Sequence, residues 1–193
     1  MTLGVGMNIF DTFVIPRGAD GERGADLMER SGSALRELAV SALDIHDAAR
    51  VLEIGFGPGL ALEALIPLVP RGYVTGLDPS LLMHRRARAR NEDALRDGRL
   101  ELVVGEANQL PFAAASFDAV LAIDNAHFWA DRPAALQQIR HVMDGDSASL
   151  VLALSPQSGG SARAISRDLA RAAFEVNYQM ESSDGFVVRA TAV

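Results

Sequence analysis

The sequence contains no cysteine. That absence removes disulfides, thiolate metal sites and a cysteine nucleophile at once. No stretch approaches the roughly 18 uncharged apolar residues needed to cross a bilayer, and the first residues show no basic segment followed by an apolar run and a cleavage site. The expectation is a cytoplasmic protein with no membrane partner. Positive charge is also scarce: 18 Lys and Arg against 25 Asp and Glu leave a net charge of -7. Phosphate backbones are held mainly through clustered Lys and Arg, so a nucleic-acid partner is not expected and a small-molecule substrate is. Internal repeats, low-complexity tracts and interdomain linkers are missing as well.

What remains suits one globular domain over residues 1–193, in which 49% of residues are hydrophobic and 22% charged. Residues 1–45 read as an N-terminal cap or lid, with an amphipathic helix from about Asp26 to Leu43. Residues 50–193 read as the core. Short apolar runs at Val51–Ile54, Tyr73–Leu77, Leu100–Val104, Ala119–Ile123 and Leu150–Leu154 alternate with helical segments at Leu60–Leu68, Leu81–Arg96, Pro133–Met143 and Ala162–Phe174. This alternation predicts a parallel sheet covered by helices on both faces. Beyond Phe174 it stops, and Glu175–Met180 and Phe186–Val193, joined by a turn at Ser182–Gly185, read as an antiparallel hairpin.

Three stretches carry chemistry. In the first, Val51-Leu52-Glu53-Ile54 runs directly into Gly55-Phe56-Gly57-Pro58-Gly59 and then into a helix. Glycines there let the backbone turn sharply and approach a ligand, and the helix start offers free N–H groups to an anionic or electron-rich one. A dinucleotide-binding loop usually shows Gly-x-Gly-x-x-Gly; here the spacing is Gly-x-Gly-x-Gly, and an acid precedes it inside the strand. A carboxylate ending a buried strand needs a partner, either an ammonium group on a ligand or the loop itself. In the second stretch, Tyr73–Leu77 ends in Asp78-Pro79-Ser80. An acid at the end of the second strand of such sheets accepts from ribose hydroxyls; helix capping is the alternative role, which Ser80 could fill instead.

The third stretch is Val103-Val104-Gly105-Glu106-Ala107, with Leu110-Pro111-Phe112, followed by Phe117-Asp118-Ala119-Val120. Together the three resemble the small-molecule branch, type 11-like, of the class I methyltransferases that use S-adenosylmethionine (SAM), over roughly Arg50 to Ser155. The resemblance implies a Rossmann-like α/β fold with a mainly parallel seven-stranded sheet, an antiparallel C-terminal hairpin and helices on both faces. It implies SAM as cofactor, S-adenosylhomocysteine as product and no metal. Glu53, Gly55, Phe56, Gly57 and Gly59 would lie along its methionine part, with Asp124 beside them. Asp78 would take the ribose, Pro79 and Met83 flank the adenine, and Glu106 and the Ala107 N–H meet the adenine edge. The family often has Asp where Glu106 stands, and a Gly-Gly turn where this chain has Asp144-Gly145-Asp146. Asp124-Asn125 has a superficial likeness to metal-dependent O-methyltransferases, but the further acids of such sites are not recognisable.

Ligands of open α/β sheets sit outside the C-terminal strand ends, which points to Asp124–Trp129 as the acceptor side. His127 is the candidate general base, since imidazole titrates near neutral pH. A shaping role is the alternative, because methyl transfer from a sulfonium often needs only alignment. Asn125, Phe128, Phe13 and Arg17 are the further candidate substrate contacts, the last two from the cap. His46, His84 and His141 read as surface residues, and the basic run His84–Arg90 as a solvated helix face. Methyl transfer to a small organic acceptor is the leading function. A non-methylating reaction on the same fold, or a non-catalytic SAM-binding role, is the competing one. A monomer or a homodimer fits either.

Overall fold

A computed structural model describes residues 8–193. After a short π-helical turn at Phe10–Val14 come α1 (Gly18–Arg30) and α2 (Ser33–Ser41), then β1 (Arg50–Ile54), α3 (Leu60–Leu65), β2 (Tyr73–Asp78), α4 (Leu81–Arg90), α5 (Glu92–Arg96) and β3 (Leu100–Val104). They are followed by β4 (Ala119–Ile123), α6 (Arg132–Val142), β5 (Ser149–Leu154), α7 (Ala162–Arg171), β6 (Phe174–Ser182) and β7 (Gly185–Ala192). The seven strands form one sheet in the order β3-β2-β1-β4-β5-β7-β6. The first five are parallel, and β7 runs antiparallel between β5 and β6. This is the expected Rossmann-like class I methyltransferase architecture. The strand order reverses between β1 and β4, so the crevice beyond their C-terminal ends is where an open α/β sheet places a ligand.

Alternate residues of each central strand enter opposite apolar layers, as the period of two requires. Leu52 and Ile54 of β1, Val120 of β4 and Leu150 and Leu152 of β5 pack beneath Leu136 and Ile139 of α6. Val51, Leu121 and Val151 face the other way, toward Leu62 and Leu65 of α3, Met83 of α4, Leu35 and Ala39 of α2 and Ala25 of α1. Glu53 belongs by register to this second face, which puts its carboxyl inside an apolar layer.

Two expected helices are interrupted. The single segment over Asp26–Leu43 is α1 and α2, because Gly32 stands at φ +72° and ends the first helix before the second begins. Leu81–Arg96 is α4 and α5, broken at Asn91, whose Nδ2 donates to the carbonyls of Gly59 (3.1 Å) and Ala87 (3.0 Å). That side chain ties the break to the glycine loop.

The basic run is a solvated face only in part: Arg85 and Arg88 are exposed, whereas Arg86 and Arg90 are partly buried against acids. Arg86 donates to Glu22 (2.6 and 3.1 Å), Asp26 (2.9 Å) and Glu29 (3.2 Å), while Arg90 reaches Glu29 (3.3 Å) and Glu63 (3.4 Å). The acids at 22, 26 and 29 lie on one side of α1 at helical spacing and meet the Arg86–Arg90 stripe of α4. A second tie runs from Ser80 Oγ, which donates to the Pro16 carbonyl at 2.5 Å. The N-terminal segment is thus held to α4 by charge along the helix and by one buried hydroxyl at its start.

Because these ion pairs are partly exposed, each is worth only about 0.2–1 kcal/mol and is screened by salt. Arg86→Ala is expected to leave the sheet intact while amide hydrogen exchange speeds up across residues 18–30. Raising the ionic strength to about 1 M should do the same to the wild type, since the screening length there is about 3 Å.

Candidate functional site

The loop from β1 to α3 holds three glycines at positive φ: Gly55 at +69°, Gly57 at +53° and Gly59 at +85°. Only glycine adopts such angles freely, and three alternate positions of this kind fold the loop tightly against the end of β2. Asp78 closes it from below. Its Oδ2 accepts from the Gly57 N–H at 3.0 Å and its Oδ1 from the Ser80 N–H at 2.8 Å. Ser80, not Asp78, caps α4, with Oγ accepting from the Met83 N–H at 3.2 Å. From above, Met28 of α1 reaches the loop: a Cβ added at Gly57 would meet its Sδ at 3.6 Å. α1 therefore packs against the loop at Gly57.

Both acids at this end of the sheet are buried, Glu53 to 3% exposure and Asp78 to 5%. Burial pushes the Asp78 carboxyl up to about 6, against the pull of the Ser80 and Gly57 N–H groups. Glu53 lies well above the usual carboxylate range, first because it is desolvated and then because Asp78 is nearby; Arg36 opposes both effects. Glu53 Oε2 has no hydrogen-bond partner among the described residues. A buried, unpartnered carboxylate oxygen beside an open glycine loop fits a ligand that brings a positive group.

The adenine-side candidates border this cradle across β2. Val104, Gly105, Glu106, Gln109, Leu110 and Pro111 line a shallow surface groove, with Glu106 exposed and Ala107 buried. Pro79 is half-buried and Met83 fully buried. His84 lies beside them, and here the reading of a surface histidine fails: it is 9% exposed, its Nε2 is 3.0 Å from the Asp78 carbonyl oxygen, and its ring meets Phe56 edge-on at 4.9 Å. The sequence held the signal, because His84 shares one helix face with Ser80, Ala87 and Asn91 at spacings of three and four. His46 and His141 are exposed.

On the acceptor side, Asp124 adopts φ +53°, an angle that Asp tolerates better than most residues, and its Oδ1 accepts from the Ser155 N–H at 2.6 Å. Asn125 spends its amide on protein groups: Nδ2 donates to Ile54 O (2.7 Å) and Ile123 O (3.0 Å), and Oδ1 accepts from Trp129 Nε1 (3.0 Å). His127 is half-buried against Phe128, with ring centroids 3.8 Å apart, and its Nδ1 has no partner. Burial lowers its pKa, partly offset by Asp124, so the ring is neutral at neutral pH. Of the two cap candidates, Phe13 is half-buried, whereas Arg17 is exposed, paired with Asp11 at 2.6 Å and stacked over Phe10 at 5.9 Å. Among the described residues, no three His, Asp or Glu side chains stand close enough to hold a metal ion, and no helix is long and apolar enough to cross a membrane.

A family model for a methyltransferase domain matches residues 51–146, the span that holds the glycine loop, Asp78, Glu106 and the Asp124–Trp129 loop. The chain belongs to the class I SAM-dependent methyltransferase family. Among curated relatives, it is 34% identical to the demethylmenaquinone methyltransferase of Thermotoga maritima over 55% of this chain and 44% of that protein. It is 25% identical to the uncharacterized methyltransferase YdaC of Bacillus subtilis over 65% of this chain and 68% of that one. The methyltransferase domain thus spans about half the length of several relatives that it matches. In fold it is similar to a putative methyltransferase of Haloferax volcanii, solved in complex with the Trm112 activator, with a TM-score of 0.79 and 20% identity over 95% of this chain and 97% of that one.

The raised pKa values of the two buried acids predict a pH-dependent stability for the ligand-free protein. The folded state holds the Asp78 proton up to about pH 6, whereas the unfolded chain releases it near 3.8. Between those values the native state binds more protons, so stability falls as pH rises, and Glu53 extends the decline upward. The wild type should therefore melt higher at about pH 5.5 than at about pH 8, and Glu53→Gln should flatten that slope by a few degrees, since about 1 kcal/mol moves the midpoint of a domain this size by about 2–4 °C.

Proposed function

We propose that this protein transfers a methyl group from SAM to a small organic acceptor. The observation that carries the reading is the unpartnered, buried Glu53 oxygen at the mouth of the Gly55–Gly59 loop, with Asp78 at the end of the neighbouring strand. SAM supplies a sulfonium-activated methyl group, open to direct displacement by a nucleophilic O, N or C atom of the acceptor. The chain's own residues supply the rest. Glu53 receives the amino-acid ammonium, and Gly55, Phe56, Gly57 and Gly59 lie along the methionine part, with Asp124 beside it. Asp78 uses its remaining lone pairs on the ribose, Pro79 and Met83 flank the adenine, and Glu106 and the Ala107 N–H take its edge. Relatives whose names include a demethylmenaquinone methyltransferase and quinone-biosynthesis C-methyltransferases favour a small, apolar or aromatic acceptor.

His127 is proposed as the group that takes the acceptor's proton. Burial lowers its pKa, which favours the neutral imidazole that a proton acceptor needs, and it lies half-buried on the loop that follows β4. Phe128, and Phe13 and Arg17 from the cap, would shape the acceptor's pocket. The cap, packed against the glycine loop at Gly57, would keep water from the reacting centre.

Calorimetric titration with SAM tests the cofactor reading. Wild type should bind, and Asp78→Ala should bind about ten- to a hundredfold more weakly, the worth of a hydrogen bond to a charged group. Because a bound ammonium would pull down the Glu53 pKa that burial raises, binding should release protons as the pH is lowered into the range where that carboxyl is protonated, seen as a heat that changes with the buffer's ionisation enthalpy. Absence of SAM binding by folded wild type at millimolar concentration would reject the reading. With an acceptor in hand, a product gaining one methyl mass supports transfer, and an unchanged mass points to a rearrangement.

His127→Ala should lower turnover by about a hundredfold or more if the residue takes the proton, while SAM affinity stays within about twofold. The wild-type rate should then hold level above neutrality and fall only at pH values below the ordinary imidazole range, because burial depresses the ring's pKa. A variant with unchanged turnover would leave His127 a shaping residue.

A further inference from the structure

We propose that Asn125 and Trp129 form a positioning pair that sets the acceptor-side loop in register with the cofactor loop. This inference deepens the methyltransferase reading and rests on it. β1 and β4 are parallel neighbours, and each ends in a loop of the site. One amide bridges their ends. Asn125 Nδ2 donates to the last carbonyl of β1, Ile54 O at 2.7 Å, and to the last carbonyl of β4, Ile123 O at 3.0 Å, with Gly55 O farther off at 3.4 Å. The amide's other end is fixed too, because its Oδ1 accepts from the indole N–H of Trp129 at 3.0 Å. A flipped amide would set its oxygen against strand carbonyls and its NH2 against the indole N–H, so the network admits one orientation.

The packing agrees with this. A Cβ at Gly55 would lie 2.5 Å from Asn125 Nδ2, so the amide occupies the space that this glycine leaves. The Trp129 ring packs on the apolar layer beneath α6, which anchors the bridge to the rigid body of the sheet. His127 and Phe128 lie between the two members of the pair, and the Phe128 N–H donates to the Asn125 carbonyl at 2.8 Å. The loop that presents the candidate base is therefore tied at its start to the strand that presents the glycine cradle, and its far end is tied back to that start through Trp129. Asn125 has no amide hydrogen left for an acceptor unless one of these bonds breaks. Its role is carried through its neighbours, which makes it a positioning residue instead of a substrate contact.

The test compares wild type with Asn125→Ala, Trp129→Phe and the double variant, using two readouts. The first is affinity for S-adenosylhomocysteine by calorimetry. The second is amide hydrogen exchange of residues 55–59 and 124–129 in the ligand-free protein. Trp129→Phe keeps an aromatic ring at the position and removes the N–H donor together with the second ring of the indole. Each single variant should weaken binding by about three- to tenfold, the double no further than Asn125→Ala alone, and both segments should exchange faster while β2 and β3 do not change. Wild-type affinity together with wild-type exchange in Trp129→Phe would overturn the pair, as would additive losses in the double variant. If wild type binds no S-adenosylhomocysteine, the cofactor reading fails by itself. The exchange comparison still decides the pair, because the tie exists without ligand.

Discussion

Two carboxyl groups at the ends of adjacent strands set the terms for the rest of the site. Glu53 and Asp78 are held where water scarcely reaches, and such groups are costly unless partners are provided. The glycine loop supplies part of the answer to Asp78, because its φ angles bring the Gly57 N–H down onto the carboxylate. Ser80 supplies another part through its N–H, and by capping α4 with its own hydroxyl it relieves Asp78 of that duty. Glu53 has no equivalent relief at Oε2. The sheet's apolar layers keep this imbalance in place, and a cationic ligand group would resolve it.

Around that centre the molecule uses two kinds of tie. The cap is fastened mainly by partly exposed charges, Glu22, Asp26 and Glu29 of α1 facing Arg86 and Arg90 of α4. Such contacts are weak singly and yield to salt. The strand ends are instead fastened by neutral hydrogen bonds on a half-buried amide and an indole, which do not yield to ionic strength. The N-terminal helices therefore have the softer attachment, and the ends of β1 and β4 the harder one.

Much of this was legible in the sequence because it depends on local pattern. The five parallel strands announce themselves as apolar runs, the first four leading into Gly55, Asp78, Glu106 and Asp124, and the closing hairpin follows its turn at Ser182–Gly185. Position along a strand also fixes which face a residue meets, so the loop after β1 and the acids at the strand ends could be placed together. What escaped depends on pairings between distant segments. Periodicity allows a continuous helix through Asn91, but the Gly59 carbonyl captures its side chain and breaks it. His84 reads as part of a basic surface run until the Asp78 carbonyl and Phe56 are brought to it by the fold. Arg86 reads as solvated because the acids that hold it are roughly 60 positions away. Composition shows that a partner is needed, and only tertiary structure shows which one is met.

The placement of β7 has a consequence for how the molecule is made. It lies between β5 and β6, pairing Ser149 with Thr191 on one side and Phe174 with Ala192 on the other. As the chain leaves the ribosome, β1 to β5 can assemble in order, but β5 then presents an open row of N–H and C=O groups, and β6 has no neighbour in the sheet until residues 185–192 emerge. Throughout that interval the nascent protein carries a long apolar strand edge that another chain could add to. Pairing of residues 185–192 on both sides closes that edge.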